Sequence, residues 1–239
     1  MPMINAALEP TLYVPPARRA RRTPRGWWPV LILSLIIALY ALSFLVRRDR
    51  AFPPDLFESF SARPWGIYSH VLFGALALVI GPFQFRRGIL SRRRAVHRNL
   101  GKAYVVCALM TGLVSMYMAV YSFGGMNTHL GFGFLGALTA AATATAYARI
   151  RALDVPRHRE WMIRSFALIF AAVTLRIELP FLIVAYKGSF APAYAIVAWL
   201  CWVPNLLWAE WYIRRSRRNA AWDLPRHSRA AAASAASAS

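Results

Sequence analysis

Six stretches of this chain are apolar for about twenty residues at a time, and that constrains its fold more than anything else in the sequence. They are Trp27–Val46, Trp65–Phe85, Ala103–Ser122, His129–Ala148, Ile163–Tyr186 and Ala193–Ile213. Each is long enough to cross a hydrocarbon layer of about 30 Å as an α-helix. In such a layer every backbone N–H and C=O must be satisfied within the protein, which leaves helices or closed barrels. The runs are continuously apolar rather than alternating, so a barrel is excluded and helices are expected. The predicted fold is an all-α, polytopic helical bundle with six transmembrane helices spanning 27–213. Residues 1–26, rich in Pro and Arg, are expected to form a disordered basic tail. Residues 214–239, basic and then Ala/Ser-rich, are expected to form a second disordered tail.

The formal charge of +20 invites a nucleic-acid reading, but its distribution argues for topology instead. Arginines gather at 18–25, 86–102, 149–164 and 214–229, whereas the link 123–128 has no charge and the link near Ser189 carries only Lys187. Alternate connections are thus rich and poor in positive charge, which predicts cytoplasmic N- and C-termini. The partners expected are anionic lipid headgroups at the cytoplasmic face, and no nucleic acid. Cys107 and Cys201 both fall inside apolar runs and are expected to be inert core thiols. The motifs of soluble hydrolases and nucleotide binders are absent: no Gly-x-Ser-x-Gly, no His-Glu-x-x-His, no P-loop. Whether the chain is an enzyme stays open.

Four of the five histidines stand near the beginnings of runs two to five: His70, His97, His129 and His158. If the runs cross alternately, these residues alternate between faces, giving one pair on spans two and four and another on spans three and five. Imidazole is a common metal and haem ligand. Below each of the first three lies a row at helical spacing: His70, Gly74, Ala77, Gly81, Gln84; His97, Gly101, Tyr104, Ala108, Thr111; and His129, Gly133, Gly136, Ala140, Thr143. Small residues at this spacing commonly pack membrane helices together, and they equally leave room for a flat ligand. His97 and His158 adjoin arginines and read either as interface residues or as ligands. His129 reads as a helix cap or a ligand. His70, deeper in its run, most needs a partner.

Span five carries Arg176 and Glu178 near mid-membrane, where a lone charge costs a few kcal/mol or more. Being two residues apart, they point about 200° away from one another, so each must find a partner elsewhere. His70 is the expected neighbour of Glu178. Arg176 is expected either to meet an acidic ligand, such as a haem propionate or quinone oxygen, or to clamp helices together. Arg164 is expected to be within reach of Glu210. Pro82 and Pro180 are expected to kink their helices.

The motifs His70…Gly81-Pro82-Phe83-Gln84-Phe85, His97-Arg98-Asn99-Leu100-Gly101-Lys102-Ala103-Tyr104, Gly124-Gly125 and His158-Arg159-Glu160-Trp161-Met162-Ile163-Arg164-Ser165, with Thr174-Leu175-Arg176, resemble a bacterial family of predicted membrane proteins, DUF2306. The resemblance covers roughly 65–212. It implies a multi-pass protein of the bacterial cytoplasmic membrane and no defined activity. In helix order, the histidines are also similar to those of the six-helix cytochrome b561 class. That likeness implies haem b as cofactor, ligand roles for His70 with His129 and for His97 with His158, and a quinone or redox partner.

Three functions remain open on the sequence. One is transmembrane electron transfer through b-type haem, its iron held by His70 and His129. Another is transport of a small solute or protons using Arg176 and Glu178, with Gln84 and Arg164 as further polar intramembrane residues. The third is a non-catalytic membrane partner or assembly protein. No matched pair of interrupted helices, the usual mark of a transporter, is legible.

Overall fold

The computed structural model describes residues 26–47, 54–86 and 93–222. Within them run nine α-helices: α1 (Trp27–Arg47), α2 (Phe57–Ser61), α3 (Pro64–Gln84), α4 (Arg94–Ala119), α5 (Met126–Arg151), α6 (Val155–Ile169), α7 (Ala171–Ala185), α8 (Phe190–Leu200) and α9 (Val203–Trp222). Six spans are long and apolar enough to cross a membrane: α1, α3, α4, α5, the α6–α7 pair and the α8–α9 pair. The protein is an all-α, six-span membrane protein.

The helices extend past the apolar runs at the ends where arginines gather. α4 begins at Arg94 and α6 at Val155, so His97 and His158 each lie in the first turn of their helix. Asp154 starts α6 by accepting the Arg157 N–H at 3.1 Å. The last helix runs on to Trp222, so 214–222 is helical and not the disordered tail its composition suggests. The remainder of both expected tails lies outside the described residues. α3 and α7 continue through Pro82 and Pro180 without interruption.

Interruptions occur elsewhere. Span five breaks at Phe170, where the Val173 N–H bonds back to the Phe170 carbonyl at 2.9 Å. Span six breaks at Cys201 and Trp202, where the Trp202 N–H reaches the Trp199 carbonyl at 3.3 Å. Both are three-residue closures of the tighter helical kind, which often mark hinges. Pro204 accounts for the second, since it cannot donate to the Leu200 carbonyl. Two neighbouring spans thus carry a local tightening inside the apolar region, while the backbone at Phe170 and Cys201 stays helical and each span runs on as one membrane-length helix.

Spans two to five close into a ring. α3 packs on α4, α4 on α5, α5 on α6, and α6 touches α3. α1 lies outside this ring against α3 and α7, while α8 and α9 pack on α5, α6 and α7. The centre of the ring is filled. The Tyr104 hydroxyl meets Ser165 Oγ at 2.9 Å, Ser165 Oγ meets Thr143 Oγ1 at 2.7 Å, and Tyr104, Thr143 and Ser165 are fully buried.

Several glycines stand at closed contacts, although Gly74 and Gly133 keep ordinary van der Waals room. A Cβ on Gly112 of α4 would stand 2.8 Å from the Gly136 carbonyl and from the Ala140 nitrogen of α5. One on Gly81 would stand 2.3 Å from the Phe166 ring, and one on Gly131 would stand 2.9 Å from the Ala198 carbonyl. Small residues here let backbones touch, as they do in tightly packed membrane helices. Large apolar side chains such as Leu39, Phe181 and Leu207 face outward, which suits a lipid surround.

Candidate functional site

The polar groups of the spans gather in three places. At the arginine-rich face, Arg164 forms a bidentate pair with Glu210, donating from Nε at 2.5 Å and from Nη2 at 3.1 Å. Its guanidinium also lies 4.5 Å from the Trp161 ring centroid. Arg217 pairs with Glu160 nearby. These pairs tie α6 to α9 and use up both carboxylates.

His97 and His158 lie at the same face, within electrostatic range of each other. Two turns further along their helices, Tyr104 and Ser165 join the same two rows directly. The His158 Nδ1–H donates to the Ala146 carbonyl at 2.8 Å. That bond fixes the tautomer and leaves Nε2 with its lone pair, the arrangement common among metal-binding histidines. His97 Nδ1 and Gln84 Nε2 are buried without a hydrogen-bond partner. The Gln84 amide packs against Gly101, one turn beyond His97.

The other histidine pair is not brought together in this way. The His129 Nε2–H donates to the Ser122 carbonyl at 2.8 Å, closing the Gly124–Gly125 turn. The nitrogen a haem iron normally takes is thereby committed to the loop. His70 Nδ1 instead meets Ser115 Oγ on α4 at 3.1 Å. α4 and α5 are in backbone contact at Gly112 and Gly136, which leaves no room for a planar group at that crossing.

The third gathering is around Arg176. Its Nη1 donates to the Ala172 carbonyl one turn back at 2.9 Å, and its guanidinium carbon sits 5.6 Å from the Tyr40 ring centroid on α1. Nε is buried and has no partner. His70 and Tyr194 are within electrostatic range. No acidic side chain pairs with Arg176 among the described residues. Pro180 has no N–H, so the Arg176 carbonyl also lacks its helical donor. His70 is hydrogen-bonded to Ser115 and lies within electrostatic range of Arg176, and the expected His70–Glu178 pairing is not formed. Glu178 points the other way, toward Cys201, with Oε2 buried and unpartnered.

Sequence reasoning missed Asn205. Its Nδ2 lies within hydrogen-bond distance of Thr174 Oγ1 (2.8 Å), the Cys201 carbonyl (2.9 Å) and the Ala167 carbonyl (3.3 Å). One amide thus laces both interruptions together. The clue was available: Asn205 is the only amide side chain in its run, and it directly follows Pro204. Ser115, Tyr40 and Tyr194 carried no such mark.

A family model described as a predicted membrane protein (DUF2306) matches residues 67–213, more than half of the chain. No curated protein and no solved structure matches it.

Proposed function

The chain belongs to the DUF2306 family of predicted membrane proteins, and on that premise we propose that it is a carrier for a small acidic solute, which Arg176 binds within the membrane. One observation carries this reading. Arg176 is a cation inside an apolar span, with one bare donor and, among the described residues, no carboxylate paired with it. A charge in that position is expensive unless partnered, and residues of this kind mark solute and ion pathways. A carboxylate accepting from the guanidinium fork supplies the missing charge. His70 and Tyr194 add polar surface, and Tyr40 covers the guanidinium from α1.

The interruptions at Phe170 and Cys201–Trp202 support carriage rather than static binding. Local departures from the α-helical bonding pattern often mark hinges. Asn205 holds the two broken spans in one arrangement, and Glu178, unpartnered beside Cys201, is the group to exchange a proton as they move. The test is binding of tritiated benzoate to the purified, reconstituted protein by scintillation proximity. Arg176→Gln is expected to weaken binding about 10- to 100-fold, the worth of a charge-assisted hydrogen bond. Equal binding by a folded Arg176→Gln protein overturns the reading.

A second reading keeps one observation in its favour. His158 keeps its Nε2 lone pair while Nδ1–H is held by the Ala146 carbonyl, and it lies within electrostatic range of His97, so this pair, rather than His70 with His129, is the better candidate for a b-type haem. The group supplies one-electron chemistry when bound. A reduced-minus-oxidised spectrum of protein from haem-replete cells tests it: an α-band that disappears in His158→Ala supports haem, and a colourless protein removes it.

A further inference from the structure

We infer that the acidic solute bound by Arg176 is an amphiphile, a fatty-acid-like monocarboxylate that enters sideways from the bilayer between α1 and α7. The inference rests on the Arg176 reading above. Arg176, Pro180 and Val184 follow one another at four-residue steps on a single face of α7. Pro180 is exposed and Val184 is 79% exposed, while Phe181 and Ile177 beside them also face outward. The row leading from the guanidinium to the arginine-poor end of the span is therefore open to lipid and wholly apolar.

Its other wall is α1. Tyr40, half exposed, lies over Arg176, and toward the same end of α1 Phe44 follows, with Arg47 bonded to Ser43 at the helix terminus. α1 packs along α3 and also reaches α7. An apolar, lipid-facing row with a cation at its foot matches an apolar tail with one acidic head.

Depth selects the kind of head. Arg176 lies nine residues below Ala185, the end of α7, or about 13 Å at 1.5 Å per residue. A diacyl lipid keeps its phosphate at the interface, because a permanent charge resists entry into hydrocarbon. A carboxylic acid can approach in its neutral form. The wall that α1 provides lies outside the family-matched 67–213.

The experiment uses the full chain in nanodiscs, with stearate spin-labelled at its far end, a phosphatidic acid bearing the same label, and benzoate. The expected result is a motionally restricted stearate component that vanishes in Arg176→Gln and weakens about threefold in Tyr40→Ala, the scale of a cation–π contact. Labelled phosphatidic acid is expected to show no Arg176-dependent component. Arg176-dependent benzoate binding without stearate restriction overturns the amphiphile and leaves the Arg176 carrier standing. Restriction of phosphatidic acid but not stearate overturns the choice of head. Failure of all three probes overturns both readings.

Discussion

Gly112→Ala and Gly74→Ala are the same chemical change in two neighbouring spans, and the structure assigns them opposite outcomes. A Cβ on Gly112 would lie 2.8 Å from the Gly136 carbonyl and the Ala140 nitrogen, both backbone atoms that no rotamer change can move aside. Restoring ordinary contact requires α4 and α5 to part by roughly 0.6 Å, with overpacking costs of about 1–3 kcal/mol. A Cβ on Gly74 would lie 3.7 Å from Thr111 Cγ2, an ordinary contact. There the gain in helix propensity prevails, at about 0.5–1 kcal/mol. The two variants should thus differ by about 2 kcal/mol, or roughly thirtyfold in the folded-to-unfolded ratio. The assay is reversible unfolding in mixed dodecyl maltoside and SDS micelles, followed by helical circular dichroism. Equal stability of the two variants would refute the claim that α4 and α5 meet backbone to backbone at Gly112 and would reopen space for a planar ligand between them.

Asn205→Leu removes an amide that laces both broken spans; at about 0.6 kcal/mol for each interhelical bond, a loss of about 1–2 kcal/mol is expected in the same assay. Glu210→Gln strips Arg164 of its bidentate partner, and a double-mutant cycle with Arg164→Gln should return a coupling of about 1 kcal/mol, kept modest because the pair is partly exposed. Cys107 and Cys201 are both buried and unpaired, so N-ethylmaleimide should label the native protein at neither position and the SDS-denatured protein at both, as counted by mass spectrometry. Ser115→Ala leaves His70 Nδ1 without its hydroxyl partner, and the His70 ring resonances in NMR should shift while those of His129, held by the Ser122 carbonyl, stay in place.

The spans were legible because length and continuous apolarity suffice to mark them. Their interior breaks were legible only in part. Pro204 and Asn205 mark the interruption at Cys201–Trp202, whereas Phe170 is flanked by Ile169 and Ala171, with no proline or glycine to signal a turn. The faces occupied by Arg176 and Glu178 follow from helical periodicity, but their neighbours do not. That Arg176 meets Tyr40 and His70 depends on where α1 and α3 pack, a matter of tertiary arrangement. The histidines repeat the lesson: their alternation can be counted from sequence, but His129 loses Nε2 to a loop carbonyl whose position the chain's local pattern does not encode. The helix through 214–222 was obscured by its charge. Those arginines are good helix formers, and Arg217 anchors the extension to Glu160.

The central claim is that Arg176 holds an acidic solute, and counterflow measures it most directly. Vesicles reconstituted with the protein and loaded with unlabelled benzoate should transiently accumulate tritiated benzoate above protein-free vesicles. Arg176→Gln, with unchanged circular dichroism, should abolish that excess, and Arg176→Lys should retain part of it, because the charge persists without the planar fork. Accumulation by folded Arg176→Gln equal to that of the wild type would contradict the account.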